Sequence, residues 1–352
     1  MNHKNILFFI FVFFFSLGLS PREKLFQVIT SHPEDLSALN PHIETVHQSG
    51  RLWIVRVKDQ FPPKLIPFLR PLRGGEKSYT DFETLPLTSN EVIKNFVQRI
   101  DPNVIKRDVL KLSSYRTRKA GTSDNQEAVK FVSSRFHEMG YEHYDSCYAK
   151  SICSVVAEKK GTHTPNKVIM VMAHIDSVGK SFAGADDNAS GTAVLLEMAR
   201  VLQDYPSHKT IRFLVTNGEE DGLLGATHYV RALEKENKLR ELDLVINMDM
   251  VGYNSNGIVE LETEPEYQNL AKWFASLATQ YTRLKSKITL GAWGSDHVPF
   301  LKRQVPAVLT IEDWDTKTPC YHQSCDTPDT LNYEYASEIG KLNLAAVMEK
   351  VY

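Results

Sequence analysis

Five side chains of this 352-residue sequence are of the kinds that hold metal ions in enzymes: His174, Asp187, Glu220, Asp249 and His322. Each is expected where an apolar strand gives way to a loop. Histidine nitrogens and carboxylate oxygens are the usual donors to catalytic zinc, which keeps an open position for water beside its protein ligands. Five donors are one more than a single tetrahedral ion takes. The set therefore points to two ions sharing a carboxylate, and so to metal-assisted hydrolysis. A lone His or Asp at a strand end is usually a hydrogen-bonded structural residue; it is the ensemble that carries the reading. Glu219 sits beside Glu220 at the end of an apolar run, an odd place for a pair of surface carboxylates. Asp176 follows His174 by two residues, so in an extended chain it points the same way and is placed to accept from the His174 ring and fix its tautomer.

Elements able to position these residues are legible around them. Short apolar runs at residues 154–158, 168–173, 211–216, 244–248 and 307–311 read as buried strands. Residues 126–139 place Val129, Val132, Phe136 and Met139 at helical spacing before Gly140, and residues 192–202 and 267–281 are helical as well. Strands alternating with helices predict an α/β fold, a mostly parallel central sheet flanked by helices. In open sheets of this kind ligands gather at the carboxyl ends of the strands, where His174, Glu219, Glu220 and Asp249 fall.

The words around the five residues carry more. They read Ala173-His174-Ile175-Asp176-Ser177, Gly184-Ala185-Asp186-Asp187-Asn188-Ala189-Ser190-Gly191, Asn217-Gly218-Glu219-Glu220-Asp221-Gly222-Leu223-Leu224-Gly225, Asn247-Met248-Asp249-Met250-Val251-Gly252 and Cys320-Tyr321-His322-Gln323-Ser324-Cys325-Asp326-Thr327. In this order, over roughly residues 90–350, they resemble the secreted bacterial zinc aminopeptidases of leucyl aminopeptidase type, members of the zinc exopeptidases. The resemblance implies a zinc-exopeptidase, phosphorylase/hydrolase-like fold and two zinc ions per chain. It implies Asp187 as the carboxylate shared by both, followed by a cis peptide, with His174 and Asp249 on one ion and Glu220 and His322 on the other. It further implies attack by a zinc-bound water with Glu219 as general base, and Tyr321 as hydrogen-bond donor to the oxyanion. Asp186 is the rival for the bridge. Ser295-Asp296-His297 is a similar word, read as support for the site rather than as ligands. The substrates implied are peptide or protein N-termini, whose ammonium Glu219 and Asp249 are placed to meet. Met250, Trp293 and Phe300 offer an apolar pocket for Leu, Met or Phe, and are equally readable as ordinary core.

A length of 352 residues, 42% of them hydrophobic, allows a large domain plus a smaller module. The net charge of −2, with no basic cluster, argues against nucleic-acid binding. Lys4 followed by the apolar stretch 6–19 reads as a signal peptide over residues 1–18, too short for a spanning helix, so the protein is expected to be secreted, without a stable membrane anchor. A monomer is favoured. Residues 19–80, closed by Arg73-Gly74-Gly75, are expected to form an accessory module or a removable pro-region, with strands at 26–30 and 51–57, a short helix at 34–39 and a Pro-punctuated stretch at 61–72; residues 85–352 form the catalytic domain. Export permits disulfides among the four cysteines. The family resemblance pairs Cys320 with Cys325; Cys147 and Cys153 then pair by proximity, although three connectivities exist in principle. Two other functions compete. One is a glutaminyl cyclase of the same fold, which uses one zinc; the other is a non-catalytic binding relative, which is expected to have lost ligands or the base. The complete set of five and the Asn188-Ala189-Ser190-Gly191 continuation speak against the first, and the presence of every ligand and of Glu219 against the second.

Overall fold

The computed structural model describes residues 25–29, 43–49, 52–57, 70–71, 90–254 and 256–351. The chain divides into two compact units, Met1–Ser78 and Tyr79–Tyr352. In the first, strands β1 (Leu25–Ile29), β2 (Ile43–Ser49), β3 (Leu52–Val57) and β4 (Arg70–Pro71) form an antiparallel sheet in the order β2-β3-β1-β4. β1 and β3 coincide with the two strands expected there, while β2, whose sequence IETVHQS is largely polar, was not anticipated. The signal segment, the helix expected at 34–39 and the Gly-Gly linker lie outside the described residues.

The second unit opens with three helices, α1 (Glu91–Val97), α2 (Pro102–Ser113) and α3 (Ser123–Glu138). Their starts are capped in the ordinary way: Asn90, Asp101 and Thr122 each accept a backbone N–H of the first turn. The chain then enters β5 (Glu142–Ala149), β6 (Ile152–Lys159), β7 (Thr164–His174), α4 (Gly191–Leu202), β8 (Lys209–Thr216), α5 (Leu224–Lys235), β9 (Leu242–Met248), β10 (Ile258–Thr263), α6 (Gln268–Tyr281), β11 (Lys285–Leu290), the single-turn α7 (Val298–Leu301), β12 (Ala307–Glu312) and α8 (Tyr333–Lys350). An eight-stranded sheet runs β11-β10-β12-β9-β7-β8-β6-β5. Its centre is parallel, with β12 on β9, β9 on β7 and β7 on β8; β6 and β5 complete one side antiparallel, and β10 lies antiparallel to β12 before the parallel β11.

The reading as an α/β protein with helices flanking a central sheet holds, and the sheet is mixed. The five strands and three helices expected of this second unit are present. The central runs were legible because both faces are covered: Val168 to Ala173 and Ile211 to Val215 are buried throughout. β5, β10 and β11 were missed because none reads as such an apolar run. β5, sequence EHYDSCYA, has no fully buried residue, and β10 carries Glu260 and Glu262 into the interior, where a pattern search expects apolar side chains. Helix α4 is buried almost all round and packs against β7. Its first turn is thereby set against the carboxyl end of that strand.

Candidate metal centre

β7 ends on His174, and β8 and β9 end just before Glu219 and Asp249, so parallel pairing alone puts three of these groups along one sheet edge. The other donors arrive differently. Asp187 lies in the turn Ala185–Ser190 that leads into α4, and its peptide bond to Asn188 is cis, as the resemblance implies. His322 lies ten residues beyond the end of β12 in an irregular loop, with φ 56°. Neither is at a strand terminus, contrary to expectation. Asp187 must reach the site because the turn is tied down on several sides. The Asp326 carboxylate accepts the Asp186 and Asp187 N–H groups at 2.8 and 3.1 Å. Asn188 donates to the Met248 carbonyl at 2.9 Å and accepts from Gly191 and Met250.

Together these elements bring all five residues into one place. His174 Nε2 lies 3.3 Å from Asp187 Oδ1 and 3.2 Å from Asp249 Oδ1. His322 Nε2 lies 3.1 Å from Asp187 Oδ2 and 3.1 Å from Glu220 Oε2. The two oxygens of Asp187 therefore face two different histidines, each with a second carboxylate. Glu219, 7% exposed, offers an oxygen within 4.8 Å of the donors of His174 and Asp249. Asp186 takes no part in this cluster: it is turned toward the Gly252 and Tyr253 N–H groups, which it accepts at 2.8 and 3.2 Å.

Asp176 behaves differently from the expectation that its carboxylate orients the His174 ring. The ring Nδ1 meets the Asp176 main-chain carbonyl at 3.1 Å, while the carboxylate is 3.7 Å away, beyond hydrogen-bond length. Its oxygens instead accept the Glu219 and Glu220 N–H groups at 3.2 and 3.1 Å, so Asp176 fixes the turn that carries both glutamates. Tyr321 stacks on the His322 ring with centroids 3.8 Å apart and meets Trp314 edge-on. Burial, aided by the nearby Asp187 and Asp249 charges, raises its pKa well above the tyrosine range, so the hydroxyl keeps its proton.

The electrostatics are those of crowded carboxylates in a poorly solvated place. Burial pushes Glu220 up to about 7, the Asp187 charge adding to it. Glu219 is raised well above the usual range, by burial first and by Asp249, Asp296 and Glu220, against the pull of His174. His322 is opposed by burial but lifted to about 10 by Asp187 and Glu220, and the two histidines together hold Asp187 below the normal carboxylate range against its own burial. Four carboxylates around two imidazoles leave negative charge uncompensated, and Glu220 Oε1 is buried with no hydrogen-bond partner among the described residues. The donor set, all nitrogen and oxygen in two groups joined by Asp187, fits zinc.

Several residues that hold the site escaped the sequence reading. Arg118, fully buried, donates to the Ile175 carbonyl at 2.7 Å, to Gly184 at 2.7 Å, to Leu112 at 3.3 Å and to Ala183, joining the segments that follow His174 and precede Asp187. Burial lowers its pKa to about 10. Ser295 donates to Asp249 Oδ2 at 2.7 Å and accepts from Asn247, so the Ser-Asp-His word supports the site through its serine. His297 stands 3.4 Å from Glu262, away from the ligand groups. Asp326 lay within a quoted word without a role; a lone Arg118 between helices offered no signal. Phe300, read as a pocket candidate, belongs to the main core, whereas Met250 packs with Leu309 and Ile311 beside Trp314 and Tyr321, and Trp293 is exposed. Both anticipated disulfides are formed, Cys147 with Cys153 and Cys320 with Cys325. No described helix is long and apolar enough to cross a membrane.

The model of a family described as Peptidase family M28 matches residues 154–347. The chain is 38% identical over 189 residues to aminopeptidase YwaD of Bacillus subtilis, a match that takes in 52% of this chain and 41% of that protein. It thus spans less than half the length of this relative. Among solved structures, LapB from Legionella pneumophila is similar with a TM-score of 0.70 and 24% identity, covering 94% of this chain and all of the other. BSAP, a zinc aminopeptidase from Bacillus subtilis, is similar with a TM-score of 0.64 and 21% identity over 72% of this chain and 95% of its own. At these identities the structural likenesses bear on the fold.

Proposed function

This chain belongs to peptidase family M28, and from that premise we propose that it is a secreted, zinc-dependent aminopeptidase that removes N-terminal residues from peptides. The observation that carries the proposal is the pair of Asp187 oxygens, one facing His174 and Asp249, the other facing His322 and Glu220. These two groups would each hold one zinc, with Asp187 shared. Zinc bound there supplies Lewis acidity toward the scissile carbonyl and lowers the pKa of a water.

The chain's own residues do the rest. Glu219 takes the proton of the attacking water and delivers it to the leaving amine. Its seclusion suits the first task, since burial strengthens its hold on the proton it takes. Asp176 keeps the Glu219 main chain in place through the two N–H bonds at the turn. Tyr321, still protonated, donates to the oxyanion. Glu219 and Asp249 each offer an oxygen within 4.8 Å of the other's and of a His174 nitrogen, and their charge suits the free ammonium that distinguishes an aminopeptidase substrate from an internal peptide. Met250, beside Tyr321, gives the site an apolar wall consistent with large apolar first residues such as Leu.

Residues 1–18 act as signal peptide in this reading, and residues 19–80 as an accessory module or pro-region ahead of a catalytic domain over residues 85–352. The two disulfides suit an oxidising compartment. The test is hydrolysis of a panel of aminoacyl chromogenic amides by the full chain, before and after chelation, with Glu219→Gln alongside. Release of the N-terminal residue, lost on chelation and lowered at least ~10²-fold in Glu219→Gln with zinc retained, is expected. Cyclisation of an N-terminal Gln peptide with one zinc per chain would point to a glutaminyl cyclase instead.

A further inference from the structure

The hairpin formed by β5 and β6 is built against the turn that carries Glu219. Cys147 and Cys153 lie directly opposite one another and are joined, and the next paired residues are Ala149 and Ile152. Tyr148 is thus the extra residue of a bulge, a device that re-aims a side chain. It is aimed at Gly218, where a Cβ would come within 2.1 Å of the Tyr148 hydroxyl oxygen. Gly218 also has φ +81°, so this close approach and this turn both require glycine. The Tyr148 hydroxyl is buried with no hydrogen-bond partner among the described residues, so it is packing that sets its place.

The second strand of the hairpin grips the same turn by hydrogen bonds. Asn217 donates its main-chain N–H to Ser154 Oγ at 3.2 Å and its side-chain amide to the carbonyl of Cys153, a disulfide residue, also at 3.2 Å. Asn217 and Asn125, both fully buried, exchange amide bonds of 2.9 and 3.1 Å. Asn217 and Gly218 are therefore fixed from the hairpin side, and Glu219 and Glu220 from the other side by Asp176.

We propose that the disulfide-closed hairpin is a clamp that sets the position of Glu219, with Tyr148 and Asn217 as its positioning residues. The inference rests on Glu219 being the base, as proposed above. A misplacement of about 1 Å in a reacting group costs on the order of 10²-fold in rate, and a turn held on its hairpin side by one tyrosine and two hydrogen bonds is susceptible to a shift of that size when that side is loosened.

The test uses the full chain with Tyr148→Ala, Tyr148→Phe, the double variant Cys147→Ala with Cys153→Ala, and Glu219→Gln, each measured for kcat, KM and zinc content. Tyr148→Ala and the cysteine pair are expected to lower kcat ~10- to 100-fold with KM and zinc unchanged, and Tyr148→Phe, which keeps the ring, to recover to within about threefold of the parent. Parental kcat in Tyr148→Ala overturns the clamp, as does a Tyr148→Phe variant as slow as Tyr148→Ala, which would make the hydroxyl itself the active group. Zinc lost in step with kcat overturns it too, placing the effect on the metal centre. Should the cysteine pair fail to fold, Tyr148→Ala leaves the disulfide intact and decides alone. Full activity in Glu219→Gln sinks the base assignment; an inactive Glu219→Gln beside parental Tyr148 variants sinks only the clamp.

Discussion

Asp326→Asn isolates how the centre is held rather than what it binds. The Asp326 carboxylate, 2% exposed, accepts the N–H groups of Asp186 and Asp187 at 2.8 and 3.1 Å. An amide keeps one acceptor oxygen and turns an NH2 group toward the second N–H, so one charge-assisted bond is lost and one buried donor is left unmet. Such a loss costs about 1.5–3 kcal/mol. At roughly 2–4 °C per kcal/mol for a unit of this size, Tm should fall by roughly 3–12 °C. The bond that fails also holds the main chain of Asp187, whose two oxygens face His174 and His322. Groups that orient ligands from behind contribute ~10- to 100-fold to metal affinity, and the same range is expected here. Competition with a chromogenic zinc chelator measures the affinity, and thermal unfolding of metal-free and zinc-loaded protein separates it from stability. Unchanged zinc affinity with a lowered Tm would refute the reasoning, because the turn would then hold Asp187 without Asp326.

Three further outcomes are expected. Asp187→Ala should lose zinc together with activity, whereas Asp186→Asn, altering a carboxylate turned toward Gly252, should keep both ions; metal analysis of purified variants checks this. Replacing Cys320 and Cys325 by Ser should reduce activity more than stability, because the closed loop is short and its entropic effect modest, while it presents Tyr321 and His322; parental activity at lowered Tm would contradict this. Mass spectrometry of the protein recovered from culture fluid is expected to show an N-terminus near residue 80 if residues 19–80 are a pro-region, and a fully active enzyme beginning near residue 19 would make them a permanent module.

From the sequence by itself came the chemistry and the middle of the fold. Where parallel strands are covered on both faces they read as nearly continuous apolar runs, so the buried stretches of β7, β8 and β9 announced themselves, and with them the places of His174, Glu219, Glu220 and Asp249 at their carboxyl ends. Residue types and order sufficed to name a donor set of five. The tertiary structure alone decided how Asp187 and His322, neither at a strand end, are brought to that edge: by the Asp326 carboxylate, the Asn188 amide and the Arg118 guanidinium, contacts between segments far apart in the chain that leave no periodicity to read. It also decided that the Asp176 carboxylate grips the glutamate turn while its main-chain carbonyl meets His174, because side-chain direction in a strand fixes a face but not a partner. β5 was invisible because it has no fully buried residue to mark it, yet its bulge places Tyr148 on Gly218. Burial patterns record what is covered; what a buried polar group is bonded to is settled only when distant segments meet.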